Sequence, residues 1–320
     1  PEAIDLLTDF VGRPALDPEE LDKERGVVIQ EIARYDDQPS SVADDLIDKA
    51  TYGDHPLGRT VLGPAEHLRD TFTREGIIDF RNRRWSGRTG GAFLVGNLDH
   101  LPSDDDLDEM FSRFPDLAEP EAFEAAPEHQ AQVLVERKDT NQSHLRMIYR
   151  PEVDVDDPKA RAAAAIYSTL LGGSMGSRLF SEIREKRGLA YSVGAFSFSH
   201  SDVPGLQLSA GLDSDKCIEA YRVMRDIVGE LRENGPTEEE VERARSYASG
   251  ARVLAFERSG AVASHAAGQA IVRREPVNPD AAIEAMDAVT FDEVVAVAAG
   301  VPDDPSISCV GPHDAEDFAV

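Results

Sequence analysis

The sequence predicts an α+β protein with two homologous domains and a first domain that is incomplete at its N-terminus. Three observations predict this fold class. Helical and strand periodicities both occur along the 320 residues, a weak internal repeat relates the two halves, and strand patterns precede the repeated segment only in the second half. The expected domains are residues 1–125 and 126–320.

The first half is predicted to be mainly helical. Asp17 precedes an apolar-periodic run and is expected to cap a helix that reaches about Tyr35. Further helices are expected at 41–51 and 73–85. The stretch Gly-Ala-Phe-Leu-Val-Gly at 91–96 is predicted to form a short buried strand.

The second half is predicted to mix strands and helices, after a linker rich in Glu, Pro and Ala at 117–129. Gly188 is expected to end a helix, because glycine favours the left-handed conformation found there. The expected strands are 131–135, 144–149, 191–199 and 206–212, and the expected helices are 158–171, 177–187 and 214–233.

The internal repeat aligns two acidic helix starts, residues 18–25 and 238–245. Thr-Phe at 71–72 also matches Thr-Phe at 290–291, and each half then finishes on an apolar segment followed by Val-Gly. The order and spacing are similar in both halves. Chance similarity between acidic helix starts is the alternative explanation.

Charge and composition narrow the classes of function. The net charge is −28, from 61 acidic and 33 basic residues, so phosphate would be repelled and nucleic acid is not an expected partner. No stretch approaches the roughly 20 apolar residues of a membrane span, so no membrane association is expected. Six lysines among the basic residues favour a halophilic protein that is more stable in molar salt, although an ordinary acidic cytosolic protein is the alternative.

The two cysteines, Cys217 and Cys309, form no CxxC pair and have no metal-ligand spacing. They are expected to be two buried thiols. A reducing compartment suits them, and the expected location is cytoplasmic.

Glu24 and Glu31 lie seven residues apart, which places both carboxylates on one face of a helix. Leu21, Val28 and Ile32 form an apolar stripe beside them. Carboxylate oxygen is a zinc ligand, so this pair could serve a metal site. An ordinary amphipathic helix explains the same spacing.

The internal repeat allows the two acidic helices to be compared position by position. Aligned on the acidic starts, Ala244 and Ala251 stand in the second copy where Glu24 and Glu31 stand in the first. Only one of two similar helices therefore keeps the acids, which favours a function for them.

Several motifs together resemble the pitrilysin/insulinase family of zinc metallopeptidases. They cover essentially the whole chain in the order of the family: ERGVVIQEI at 24–32, HPLG at 55–58, GPAE at 63–66, GGSMGSRLF at 172–180 and IREKRGLAYSV at 183–193. The resemblance implies two α+β domains, each an antiparallel sheet backed by helices, that close around an inner chamber. It also implies a peptide substrate.

The resemblance also implies roles for four residues. Glu31 matches the third zinc ligand, and Glu24 matches the acidic residue that assists catalysis. Arg184 and Tyr191 match a pair that binds and polarises the substrate. Guanidinium is a permanent cation with a fork of donors, and a tyrosine hydroxyl can donate to an oxyanion, so these roles are chemically reasonable.

One departure from the family concerns the zinc site itself. The family needs H-x-x-E-H, whose histidines bind the metal while the glutamate activates water. None of the eight histidines lies in that pattern. Zn²⁺ is therefore expected only with an H-x-x-E-H segment upstream of Pro1, and the chain as printed is expected to be metal-free, or nearly so, and inactive.

These observations support a zinc-dependent endopeptidase of the pitrilysin/insulinase type that degrades or processes peptides. A non-catalytic partner subunit or peptide-binding homologue is the alternative, and an α+β protein with no peptide role is the third. A homodimer, or a dimer with a homologous subunit, is the expected assembly.

Overall fold

The computed structural model describes residues 2–86, 89–114 and 123–318. The chain forms two compact units, a first unit of residues 1–34, 62–124 and 256–277 and a second unit of residues 35–61, 125–255 and 278–320. One boundary between the units lies at 124/125, next to the expected domain boundary. Residues 35–61 belong to the second unit and residues 256–277 to the first, so neither unit is one continuous stretch of sequence. The division into two domains at residue 125 stays a prediction.

Helices make up most of the described chain. Their bounds in chain order are α1 (Glu2–Gly12), α2 (Pro18–Asp36), α3 (Pro39–Tyr52), α4 (Ala65–Asp70), α5 (Arg74–Arg84), α6 (Asp104–Phe111), α7 (Pro158–Ser168), α8 (Cys217–Asn234), α9 (Glu238–Phe256), α10 (Ser259–Ala267), α11 (Pro279–Asp287) and α12 (Phe291–Ala299). None of these helices is both long enough and apolar enough to cross a membrane.

Helix α2 forms as its sequence predicts. Asp17 Oδ1 accepts hydrogen bonds from the backbone N–H groups of Glu19, at 2.9 Å, and Glu20, at 3.3 Å, which satisfies donors that a helix start leaves unpaired. The helix has 19 residues, and so does α9, which follows the second acidic start. Equal lengths at the aligned positions support the internal repeat.

Five strands occur in the described residues, and they form one sheet in the second unit, in the order β1-β5-β2-β4-β3. Their bounds are β1 (Val133–Arg137), β2 (Gln142–Tyr149), β3 (Ala190–Ser199), β4 (Pro204–Asp213) and β5 (Ser306–Gly311). The α+β class is confirmed. The sheet is mixed, however, because β1 pairs with β5 in parallel while the other three pairs are antiparallel. A long connection separates β1 from β5 and allows the parallel pairing.

Both faces of this sheet are covered, and β2 shows how. Leu145 and Met147 point to one face and join the main core with α7, α8 and α12. Ile148 points to the other face, where it packs against Ile47 and Ala50 of α3. Alternate residues of a strand face opposite sides, so β2 supplies apolar side chains to the core on each face of the sheet.

The predicted strand at 91–96 is wrong. The segment has no regular secondary structure, and Leu94 and Val95 are 42% and 39% exposed. A strand needs a neighbour for its backbone N–H and C=O groups, and no other strand occurs in the first unit among its described residues. The expected sheet of the first domain is therefore absent from the described part of the chain.

Two predicted helices need correction, and a predicted linker is only partly described. The helices expected at 158–171 and 177–187 are irregular, because π-helical turns occupy Thr169–Gly173 and Phe180–Lys186. Gly172 packs so closely on β3 that an added Cβ would lie 2.3 Å from the backbone nitrogen of Ala195. The linker expected at 117–129 falls partly outside the described residues.

Candidate functional site

Glu24 and Glu31 lie on one uninterrupted helix, α2, as their spacing predicts. Leu21 and Val28 beside them are half-buried, and Ile32 is buried, so the apolar stripe lies on the less exposed face of the helix. Both carboxylates are exposed and have no hydrogen bond or ion pair within the described part of the chain. They are therefore available to an external ligand.

Arg25 fixes the position of α2 in the first unit. Its Nη1 donates to the carbonyl of Leu68 in α4 and, at 2.8 Å, to the carbonyl of Phe72 just beyond α4. Asp22 adds an ion pair at 3.4 Å. Arg25 directly follows Glu24, so these contacts fix the helical turn on which the Glu24 carboxylate lies. The sequence analysis did not single out Arg25.

Arg184 lies in the π-helical turn Phe180–Lys186, which ends two residues before Gly188. The glycine has a φ of +61°, and the N–H of Leu189 donates to the carbonyl of Ile183 at 2.8 Å, six residues back. This bond spans one residue more than the 6→1 bond of a Schellman motif, in keeping with the π-helical turn before it. The left-handed glycine confirms the predicted helix end. The Arg184 side chain is exposed, and its guanidinium lies 5.0 Å from the centre of the Phe180 ring.

Tyr191 lies in a β-bulge of β3. Ala190 pairs with Leu212 and Ser192 pairs with Gly211, so Tyr191 is the extra residue between two pairs. Its side chain is 51% exposed. Bulges re-aim side chains and are frequent beside active sites.

Gly211 of β4 makes room for the tyrosine. A Cβ at this position would lie 2.4 Å from both the ring carbon Cζ and the hydroxyl oxygen of Tyr191. The ring therefore lies across the backbone of β4, in space that only glycine leaves open. Neither the bulge nor this contact could be read from the sequence, because both depend on the register between β3 and β4.

The predicted site residues thus fall into two pairs. Glu24 and Glu31 share one helix of the first unit, and Arg184 and Tyr191 lie on consecutive elements of the second unit, on either side of Gly188. The second pair offers N–H and O–H donors suited to a carbonyl or carboxylate. The first pair offers acceptor oxygens suited to a cation or a proton.

An acidic group on α3 was missed by the sequence analysis. Asp44 and Asp48 line a cavity of about 430 Å³ with Arg146 and Ser209. Burial, followed by the charges of Asp45 and Asp44, raises the pKa of Asp48 to about 6. Its carboxyl can therefore exchange a proton near neutral pH.

The described residues do not by themselves complete the expected zinc site. Among the described residues, the one group of three or more potential ligands that lie close together is Cys217, Cys309 and His313, and it does not include Glu31. A single carboxylate does not fit a zinc site, which takes three or four protein ligands. Glu31 can act as a metal ligand only with ligands from outside these residues.

Comparison with known proteins identifies the family. A family model described as "Peptidase M16 inactive domain" matches residues 71–247, and one described as "Insulinase (Peptidase family M16)" matches residues 1–65. An uncharacterized zinc protease of Streptomyces coelicolor is 31% identical over 98% of this chain and 69% of its own length. The chain belongs to peptidase family M16. The uncharacterized zinc protease YmxG of Bacillus subtilis is 28% identical over 92% of this M16 chain and 71% of its own length.

Solved structures share the M16 fold. The peptidase M16 inactive domain from Pseudomonas fluorescens has a TM-score of 0.82 at 20% identity, covering 98% of this chain and 74% of its own. A protease from Helicobacter pylori has a TM-score of 0.80 at 18% identity, covering 97% and 76%. A chain of complex III2 from Candida albicans has a TM-score of 0.79 at 19% identity, covering 100% and 80%. The family assignment confirms the resemblance seen in the motifs.

Proposed function

We propose that this M16 chain is the part of a zinc-dependent endopeptidase that carries the third metal ligand and the substrate clamp. The observation that carries the proposal is the presence of both pairs in one chain: exposed, unpaired Glu24 and Glu31 on α2, and exposed Arg184 and Tyr191 beside Gly188. Relatives named zinc proteases support the metal.

Each residue has a role that its chemistry permits. Arg184 binds the peptide through its guanidinium donors, and Tyr191 donates its hydroxyl proton to the oxygen of the scissile carbonyl as negative charge develops there. The bulge and Gly211 hold the tyrosine ring in place. Glu31 would contribute one carboxylate to a Zn²⁺ ion, with the remaining ligands supplied from outside the described residues, and Glu24 would assist from two turns earlier on α2.

The proposal is tested in the full-length protein, by zinc content and peptide turnover. Tyr191→Phe should keep zinc and lower turnover about 100- to 1,000-fold, since loss of one oxyanion donor costs roughly 2.7–4 kcal/mol. Glu31→Gln should lose one equivalent of zinc and all turnover. A coding sequence without H-x-x-E-H upstream of Pro1 would contradict the enzyme.

Matched controls are available on the same elements or at the same exposure. Tyr247 of α9 is 53% exposed, close to the 51% of Tyr191, so Tyr247→Phe controls for loss of a surface hydroxyl. Glu19→Gln alters another exposed carboxylate of α2. Both controls should keep wild-type zinc and turnover. Full turnover in Tyr191→Phe would contradict the assigned clamp.

A non-catalytic partner subunit is the second candidate function. It is favoured by the absence of H-x-x-E-H from the printed residues and by the match of residues 71–247 to the inactive domain of the family. In that case, the chain would lend Arg184 and Tyr191 to a homologous subunit. Co-purification with a zinc-binding homologue, with peptide turnover only in the mixture, would favour this candidate over the enzyme.

A further inference from the structure

A buried cluster of two thiols and one imidazole lies in the second unit. Cys217 begins α8, Cys309 lies in β5, and His313 follows that strand. Both thiols are fully buried, and His313 is 8% exposed. One potential ligand atom from each of the three residues lies within 4.8 Å of the other two.

We propose that Cys217, Cys309 and His313 form a three-ligand site for a thiophilic d¹⁰ cation, with Zn²⁺ as the ion to test and one coordination position left to a non-protein ligand. Zinc bonds of about 2.3 Å to sulfur and about 2.0–2.1 Å to nitrogen place tetrahedral ligand atoms roughly 3.5–3.8 Å apart. The observed spacing needs closure on the order of 1 Å. Thiolate and imidazole are the ligands that structural zinc prefers.

Ser143 and Ser214 hold the imidazole in place. Ser214 Oγ donates to the carbonyl of Thr140 at 2.8 Å, and Ser143 Oγ donates to Ser214 Oγ at 2.9 Å. Each hydroxyl has one proton, so Ser143 can only accept from His313 Nε2, which lies 2.9 Å away. The ring is thus fixed through Nε2, and its lone pair is on Nδ1. Metal-ligating histidines usually have such a second hydrogen-bonded partner.

Charge balance suits a buried site. Zn²⁺ would displace the protons of both thiols, which pass to solvent, and the two thiolates would neutralise the two charges of the metal. The resulting unit of zinc, two thiolates and a neutral imidazole has no net charge. Burial therefore carries no penalty for an unpaired ion.

The site would join three separate parts of the second unit. It would connect the start of α8, the strand β5 and the segment after β5, which closes over the core through Phe318. The His313 ring contacts Phe318 edge to face at 5.9 Å. Metal binding should therefore stabilise the fold, and its test does not depend on peptidase activity or on Glu31.

The test uses the 320-residue chain, loaded with Zn²⁺ or with Co²⁺ and then separated from free metal. One equivalent of zinc per chain is expected, together with a higher melting temperature. Bound Co²⁺ should show thiolate-to-cobalt charge-transfer absorption in the near ultraviolet, a signature that carboxylate and imidazole ligands alone do not give. Bound Co²⁺ without this absorption, or no retained metal, would overturn the proposal.

Variants assign the ligands. Cys217→Ala, Cys309→Ala and His313→Ala should each lose stoichiometric zinc, and Ser143→Ala should weaken binding about 10- to 100-fold as a supporting residue. His144→Ala, which removes a histidine of the same sheet, and Glu31→Gln should keep the metal. Equal zinc in wild type and the double cysteine variant, or a native mass lower by two hydrogens from a Cys217–Cys309 disulfide, would refute the site.

Discussion

The two compact units contain similar helices but bury different amounts of apolar surface. In the second unit, a five-stranded sheet lies between helices and forms the main core. In the described part of the first unit, Ile32 and Ala266 are the buried apolar side chains, whereas Leu6 and Phe10 of α1 are 70% and 74% exposed. Helices with one apolar face thus make a core only when another layer covers that face.

The first unit shows where such a layer is lacking. A cavity of about 720 Å³ lies between α1, α6 and the irregular segment 89–94, and its lining includes Leu7, Trp85, Phe93 and Phe111. The repeated position in the second unit is a fully buried strand, β5. The same apolar ending in Val-Gly therefore forms a strand in the second unit, where a sheet lies beside it. In the first unit, where no strand is described, it is an irregular segment.

The largest difference between the units should appear on truncating one leucine in each. Leu145 is fully buried in β2, so Leu145→Ala should lower the free energy of unfolding by about 2–5 kcal/mol. Leu6→Ala, at 70% exposure, should change it by less than about 0.5 kcal/mol. Urea unfolding of both variants measures the contrast. Equal losses would show that α1 is more buried in solution than the structure indicates.

Local signals were enough to predict part of this structure. Asp17 as the cap of α2, Gly188 as a helix end, and the pairing of β3 with β4 each depend on residues near one another in the sequence. The strand expected at 91–96 failed because strand formation depends on a partner that local pattern does not report.

Features that depend on long-range register could not be predicted. The bulge at Tyr191 and the space above Gly211 follow from how β3 meets β4. Cys217 and Cys309 are far apart in the sequence and meet because α8 begins near the end of β5. The expectation of two buried thiols is confirmed, but their proximity to each other had no signal in the spacing.

Salt should affect the first unit more than the second. The first unit has 25 acidic and 14 basic side chains in 119 residues, and the second has 36 and 19 in 201, so their charge densities are similar. The first unit buries fewer apolar side chains, so less packing energy offsets the repulsion between its charges. As the Debye length falls from about 30 Å at 0.01 M to about 3 Å at 1 M, its melting temperature should rise more. Hydrogen exchange across a melting series separates the units, and a flat or falling response would remove the halophilic interpretation.

Two glycines should respond with opposite signs to alanine. Gly211→Ala places a methyl group against the Tyr191 ring and should cost about 1–3 kcal/mol of stability. Gly26 lies exposed in the middle of α2 with no atom within 4 Å of an added Cβ, so Gly26→Ala should stabilise the protein by about 0.5–1 kcal/mol. Thermal unfolding compares them, and a neutral Gly211→Ala would contradict the position of Tyr191.

The smallest expected effect concerns one carboxylate that holds the second unit together. Burial raises the pKa of Glu240, but hydrogen bonds from Arg178 and Thr237 outweigh it and bring the pKa to about 2 from an ordinary 4.5. The Arg178 contacts are 2.6 and 3.0 Å. A carboxylate with a lowered folded-state pKa stabilises the fold above its unfolded pKa, and this stabilisation is lost as the pH falls from about 4.5 to about 2.

Glu240→Gln should therefore lower stability on the order of 1 kcal/mol at pH 7, after allowance for solvent screening, and the deficit should shrink towards pH 2. Glu293 is the matched comparison, because it caps α12 with Thr290 as Glu240 caps α9 with Thr237. Its ion pair with Lys159 is more exposed, at 36% for the glutamate against 17% for Glu240, so Glu293→Gln should cost less. Unfolding free energies of both variants between pH 7 and pH 2 measure this. A deficit in Glu240→Gln that stays constant over that range would mean that the Arg178 contact acts through packing and shape, since a charge contribution must disappear when the carboxylate is protonated.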